Sequence, residues 1–141
     1  MSNPIRFTLA VVAGAISAFI LVWAVDAIGH QFYAPPVGLD LSDTDQLGQY
    51  IAGLPVGAFL FVLLAWVVAT FVGGLVACVI AGTRPLLFAG IIGGVILIAG
   101  LANMLTIPHP LWFAIVAIVA IPAAALAAAR VAPKVIKATA R

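Results

Sequence analysis

Residues 55–90 read PVGAFLFVLLAWVVATFVGGLVACVIAGTRPLLFAG. The first 27 of them, residues 55–81, carry no charged side chain. A helix rises about 1.5 Å per residue, and the hydrocarbon core of a bilayer takes about 20 apolar residues to cross. This run is therefore long enough to span. It stops at GTRP, where glycine and proline interrupt a helix and Arg84 brings a cation. A second apolar run begins at once with Leu86, so the side of the bilayer on which Arg84 stands decides the arrangement of the whole chain.

Working outward, residues 7–28, 86–105 and 111–129 are equally apolar, with breaks at IPHP before the last of these and at VAPK after it. The runs are solidly apolar rather than alternating, which excludes a transmembrane barrel and leaves helices, the other fold whose backbone is satisfied in lipid. Composition agrees. Of 141 residues, 66% are apolar and 7% charged, and the mean hydropathy is +1.33, whereas a soluble domain carries about 25% charged residues. The first run could be taken for a signal peptide after Arg6, with small residues near Ala27. At about 19 residues it exceeds a signal core of roughly 7–15, and it reads as a span. Cys78, the only cysteine, falls inside an apolar run, as a buried and inert thiol would.

With four spans the six basic residues, Arg6, Arg84, Arg130, Lys134, Lys137 and Arg141, all fall on one side. The four acids, Asp26, Asp40, Asp43 and Asp45, fall toward the other with His30 and His109. Lys and Arg are retained on the cytoplasmic side, and an odd number of spans would scatter them. The expectation is an all-α membrane protein, a single domain over residues 1–141. It is a four-transmembrane-helix bundle with both termini cytoplasmic, an outer loop at 29–54 and a cytoplasmic tail at 130–141. Trp23, Phe32, Tyr33, Tyr50, Trp112 and Phe113 gather near the outer boundary, as interfacial aromatics do. Trp66, in mid-span, reads as a packing residue.

In the outer loop, APPVG at 34–38 is extended or turned. Ser42 is the expected N-cap of a short amphipathic helix on the membrane surface, with Asp43 and Asp45 in its first turn and Leu47, Tyr50, Ile51 and Leu54 on its apolar side. Small residues mark where spans approach closely: Gly14 between Ala10 and Ala18, Gly73 between Ala69 and Ala77 with Gly74 beside it, and Gly90 with Gly94. Asn103 can hydrogen-bond between helices. Pro122 is expected to bend the fourth span. No charged residue lies near a span midpoint, which argues against a proton-relay pump or an ion-coupled carrier.

His109 stands between Pro108 and Pro110 at the outer turn. Pro108 ends one helix and Pro110 suits the first turn of the next, so a tight turn alone accounts for the motif. A sharper reading brings Asp26, His30, Asp40 and His109 to one polar site, suited to a divalent metal such as zinc or to a pH-sensitive latch. The plainer alternative is an Asp26–His30 ion pair, four residues apart on one helix, with His109 in solvent.

PVGLDLSD at 36–43, LPVGAF at 54–59, the Gly73–Gly74 pair and IPHPLWF at 107–113 together resemble an uncharacterised family of small four-span bacterial inner-membrane proteins. The resemblance covers most of the chain. It implies a bacterial inner-membrane setting and carries no catalytic residue with it.

For function, the first expectation is a non-enzymatic accessory or scaffold protein that packs with a partner membrane complex or with itself. A small oligomeric transporter or channel is the alternative. A metal-binding or pH-sensing protein using the outer His/Asp set is the third. Ser2, Ser17 and Ser42 stand in no nucleophile elbow. The basic tail suits anionic lipid headgroups rather than nucleic acid.

The charge partition makes a direct prediction. Green fluorescent protein fused to either end should fluoresce, and alkaline phosphatase inserted within residues 34–40 should be active. Activity of a phosphatase fusion at either terminus would place the chain the other way round.

Overall fold

Asn3 starts the first helix: its side-chain oxygen accepts the Ile5 amide hydrogen at 3.1 Å, and Pro4 takes the first turn, where its missing N–H costs nothing. From there the computed structural model, which describes residues 3–40 and 42–139, gives five helices. These are α1 (Pro4–Phe32), α2 (Thr44–Ala52), α3 (Val56–Ala81), α4 (Pro85–Thr106) and α5 (Leu111–Thr139), with no strand among the described residues. Four of them, α1, α3, α4 and α5, are long and apolar enough to cross a membrane, and the chain is a multi-pass helical membrane protein. Arg141 lies outside the described residues.

The ends of the helices follow local chemistry. α3 closes on Gly82 in the left-handed region (φ 68°), whose N–H returns to the Cys78 carbonyl at 2.9 Å. The Arg6 Nε–H donates to the Ile80 carbonyl, so a cation caps the negative end of α3. Arg84 is itself left-handed (φ 47°), and Pro85 opens α4. Cys78 is buried, and its thiol points at the Pro85 carbonyl at 3.2 Å.

Two expectations about helix ends are corrected. VAPK does not end the last helix: α5 continues through Pro133 to Thr139. Proline there removes one hydrogen bond, to the carbonyl four residues back. The surrounding alanines favour helix, and Lys137 in the last turn suits its negative end. The cap of α2 is Asp43 rather than Ser42, because Asp43 Oδ1 receives the Asp45 and Gln46 amides at 2.9 and 3.3 Å. The Ser42 amide instead donates to Asp40 Oδ1 at 2.9 Å.

α3 is the central helix and packs against α1, α4 and α5. In lipid the helices gain nothing by hiding apolar surface from a solvent that is itself apolar, so van der Waals fit decides the arrangement. The tightest fit is between α1 and α3. A Cβ placed on Gly14 would stand 2.7 Å from the Gly73 carbonyl oxygen, and one on Gly73 would stand 2.6 Å from that of Gly14. Ala10, Ala18, Ala69 and Ala77 beside them are fully buried. On the next face of α3, about 100° round the axis, Gly74 admits Ala128 of α5 and Ala89 of α4, at 3.3 and 3.4 Å from a Cβ on it.

Gly90 and Gly94 do not join this packing: a Cβ on either meets nothing within 4 Å. The close contacts of α4 fall to Gly93, 2.8 Å from Ala125 Cβ, and to Gly100, 2.8 Å from the Trp66 ring. Helical rotation of about 100° per residue turns Gly90 and Gly94 away from the face that carries Gly93 and Gly100.

Gly14→Ala and Gly73→Ala should each destabilise the protein by about 1–3 kcal/mol, the usual cost of forcing a methyl into a filled contact. Gly90→Ala and Gly94→Ala should leave the thermal midpoint in detergent unchanged or raise it. Equal midpoints for all four variants would contradict the α1–α3 contact.

Candidate functional site

At the end of the bundle opposite Arg6 and Arg84, a cavity of about 470 Å³ lies beneath α2. α1 and α4 meet nearer the arginines, where Phe7 packs on Phe88 with ring centroids 5.2 Å apart and Gly14 faces Ile92. Further along, both helices line the cavity, through Phe19, Val22 and Asp26 on α1 and Ile96, Gly100 and Asn103 on α4. α3 supplies Phe59, Phe61 and Trp66, and α2 contributes Leu47, Tyr50 and Ile51.

The aromatic wall is interlocked. The Phe113 ring, fully buried, stands 5.4 Å from Trp66 and 6.1 Å from Phe59. On the other side, Phe61 stacks on Phe32 at 5.8 Å and meets the edge of Tyr33 at 6.0 Å. Gly57 leaves room for the Tyr33 hydroxyl, since a Cβ there would collide with it.

α2 is tied across this wall. The Tyr50 hydroxyl donates to the Tyr33 carbonyl at 3.3 Å, Ile51 is buried, and Gly48 approaches Pro108 of the α4–α5 turn. The apolar side chains Leu47, Tyr50 and Ile51 face the cavity, while Asp45, Gln46 and Gln49 are exposed.

Of the four residues expected to form one polar site, Asp26, His30 and His109 line this cavity and Asp40 does not. Asp40 is exposed and engaged with the Ser42 amide. Among the described residues no three His, Cys, Asp or Glu side chains stand close enough together to hold a metal ion. Asp26 and His30 do not form the expected ion pair. His30 Nδ1 lies 2.7 Å from the Asp26 backbone carbonyl rather than its carboxylate. His109 Nδ1 lies 2.7 Å from the Ile107 carbonyl, and its ring stacks on Phe113 at 4.8 Å and 26°. The half-buried His109 is thus fixed by the turn it sits in, not free in solvent.

A carbonyl oxygen only accepts, so in each imidazole Nδ1 carries the hydrogen. In the neutral ring Nε2 is then an acceptor. Asp26 Oδ1 is buried and has no hydrogen-bond partner. Buried polar atoms without partners are uncommon, and each calls for a reason.

Sequence reasoning assigned Trp66 and Asn103 to helix packing; both also line the cavity. The available signal was the pairing of a large residue in mid-span with a glycine on a neighbouring helix, Trp66 against Gly100. Tyr33, Tyr50, Phe59 and Phe61 carried no signal beyond their place near a boundary. Comparison with known proteins finds no matching family model, curated protein or solved structure.

The roof of the cavity depends on the Asp43 cap. Hydrogen bonds from the Gln46 backbone and side chain, and from the Asp45 amide, hold the Asp43 carboxyl below its ordinary value of 3.8. A lowered folded value means that the contribution is complete above the ordinary value and is lost as pH falls through the lower one. Asp43→Ala at neutral pH, and the native protein once acid has protonated this carboxyl, should both lose amide-exchange protection at Asp45 and Gln46 while α3 keeps its own. Unchanged protection in the variant would remove Asp43 as the cap.

Proposed function

We propose that the chain is a non-enzymatic accessory protein of a bacterial inner membrane that receives a small apolar molecule in the cavity beneath α2. The observation that carries this reading is the cavity itself. It has the size of sites that hold compact organic ligands, roughly 300–1,000 Å³, and its walls are mainly apolar with a few polar groups at one end. In this reading both termini are cytoplasmic. Arg6, Arg84, Arg130, Lys134 and Lys137 then share the inner side, and Asp26, Asp40, Asp43, Asp45 and both histidines lie toward the outer one. α2 rests on the outer surface with its polar side to water, and the ligand enters from the outer leaflet.

The accessory role rests on α4. Gly90 and Gly94 face outward with nothing against them, so a helix of a partner membrane protein, or of a second copy, can approach the α4 backbone closely there. A second reading, as one subunit of a small oligomeric transporter, is favoured by the depth of the cavity. It extends to Trp66, ten residues into α3, or about 15 Å along the helix axis and about half of a bilayer core.

The binding reading is tested with protein in nanodiscs of zwitterionic lipid and the neutral fluorophore N-phenyl-1-naphthylamine. Binding above that of protein-free discs should saturate at one molecule per chain. Ala58→Trp, which places an indole in the cavity, should weaken it about tenfold or more, or at least 1.4 kcal/mol. Identical binding by the variant would remove the cavity as the site. Flux of a bound compound in reconstituted liposomes would favour the transporter reading over the accessory one.

A further inference from the structure

We infer that the cavity selects a lipophilic monocation, an ammonium-type head on an apolar body, through the partnerless carboxylate of Asp26 at one end of an aromatic-lined chamber. This inference rests on the reading of the cavity as a binding site and adds the charge and class of what it binds.

Four observations converge on a positive ligand. First, Asp26 Oδ1 is buried without a hydrogen-bond donor. A carboxylate oxygen removed from water is stabilised by a donor or a cation; no hydrogen bond reaches Oδ1, and His30, the titratable side chain one turn on, directs its Nδ1 to the Asp26 backbone carbonyl instead. Second, no lysine or arginine lines the cavity. Arg6 is engaged with the Ile80 carbonyl at the far end of the bundle, and the remaining described cations lie in the α3–α4 turn or in the last part of α5.

Third, the two histidines offer lone pairs. Each Nδ1–H is directed to a backbone carbonyl, 2.7 Å away in both cases, so the Nε2 atoms of the neutral rings accept. Tyr50, the nearest hydroxyl donor on α2, directs its hydrogen to the Tyr33 carbonyl. The Asn103 amide and the Tyr33 hydroxyl also line the cavity and can donate, but both are uncharged; the carboxylate opposes an anion and complements a cation. Fourth, rings of Tyr33, Tyr50, Phe59, Phe61 and Trp66 surround the same space. Aromatic faces attract cations, most strongly where water is excluded.

An apolar body is required as well as a charge. The wall below Asp26 is formed by Phe19, Val22, Val62, Trp66 and Ile96, which carry no oxygen ligand to replace the water around a bare inorganic ion. Among the described residues no three-ligand group suited to a metal is present. The charged head therefore sits near Asp26, and the hydrocarbon body extends between α1 and α4 toward Trp66.

Two probes of matched shape and opposite sign test the inference: tetraphenylphosphonium and tetraphenylborate. Each is titrated against the full-length protein in zwitterionic nanodiscs and corrected for protein-free discs. The phosphonium should bind saturably, one per chain, about tenfold or more tighter than the borate. Asp26→Asn keeps the side-chain shape and removes the charge. It should weaken the phosphonium by at least about tenfold and abolish the preference between the ions, with binding of the neutral fluorophore retained.

Equal binding of both ions by the native protein would overturn the inference, whatever the variant does. If the neutral fluorophore still bound saturably in that case, the cavity would stand as an apolar site without charge selection. If the fluorophore and both ions all failed to bind, the cavity reading would fall and the inference with it. Phosphonium binding that Asp26→Asn leaves unchanged would also overturn it, because the charge would then come from elsewhere.

Discussion

The contact on which the structure depends is the near-touching of two backbones at Gly14 and Gly73. Each glycine stands where the other's carbonyl oxygen leaves no room for a methyl group. In a bilayer this fit is a principal source of helix–helix cohesion, because the surrounding lipid is as apolar as the side chains. With α1 drawn against one side of α3, α4 and α5 take the other sides, through Gly74, Ala89 and Ala128. α1 and α4 then touch near the arginines, at Phe7 and Phe88. Away from that contact both line a cavity. The chamber under α2 is thus a consequence of where the small residues are placed.

The IPHP motif belongs to the same arrangement. Proline on each side of His109 stops α4 and begins α5, and the Nδ1–Ile107 carbonyl bond sets the ring against Phe113. Phe113 in turn packs on Phe59 and Trp66. The turn therefore fixes one aromatic wall of the chamber, and α2 lies against its rim through Gly48 and Pro108. A motif that looked like a connection between two spans is part of a wall.

Much of this architecture was legible from residues alone. The four apolar runs need no periodicity to be recognised, since length and hydropathy suffice where both faces of a helix are apolar. Other features resisted for definable reasons. Gly90, Gly93, Gly94 and Gly100 are equivalent in sequence, and which of them meets a neighbour depends on the rotation of α4 about its axis. Pro133 has the form of a terminator, yet alanine and lysine neighbours carry α5 past it. The cap of α2 shifted by one residue because Ser42 and Asp43 are both good acceptors and the turn geometry chose between them. Of the four residues expected to share one polar site, three line the cavity and Asp40 is directed elsewhere. The chamber itself was not legible, because a space between helices follows from their approach and divergence, which no single segment encodes.

The bond from Arg6 to the Ile80 carbonyl joins the first turn of α1 to the last turn of α3. The two residues are 74 positions apart in the chain. During synthesis the N-terminal helix must therefore wait, unpartnered, until the ribosome has delivered the second long hydrophobic segment to its end. Biogenesis of this protein is a matter of keeping that early helix from other companions until its own arrives, and the clasp at Arg6 closes only when the hairpin is complete.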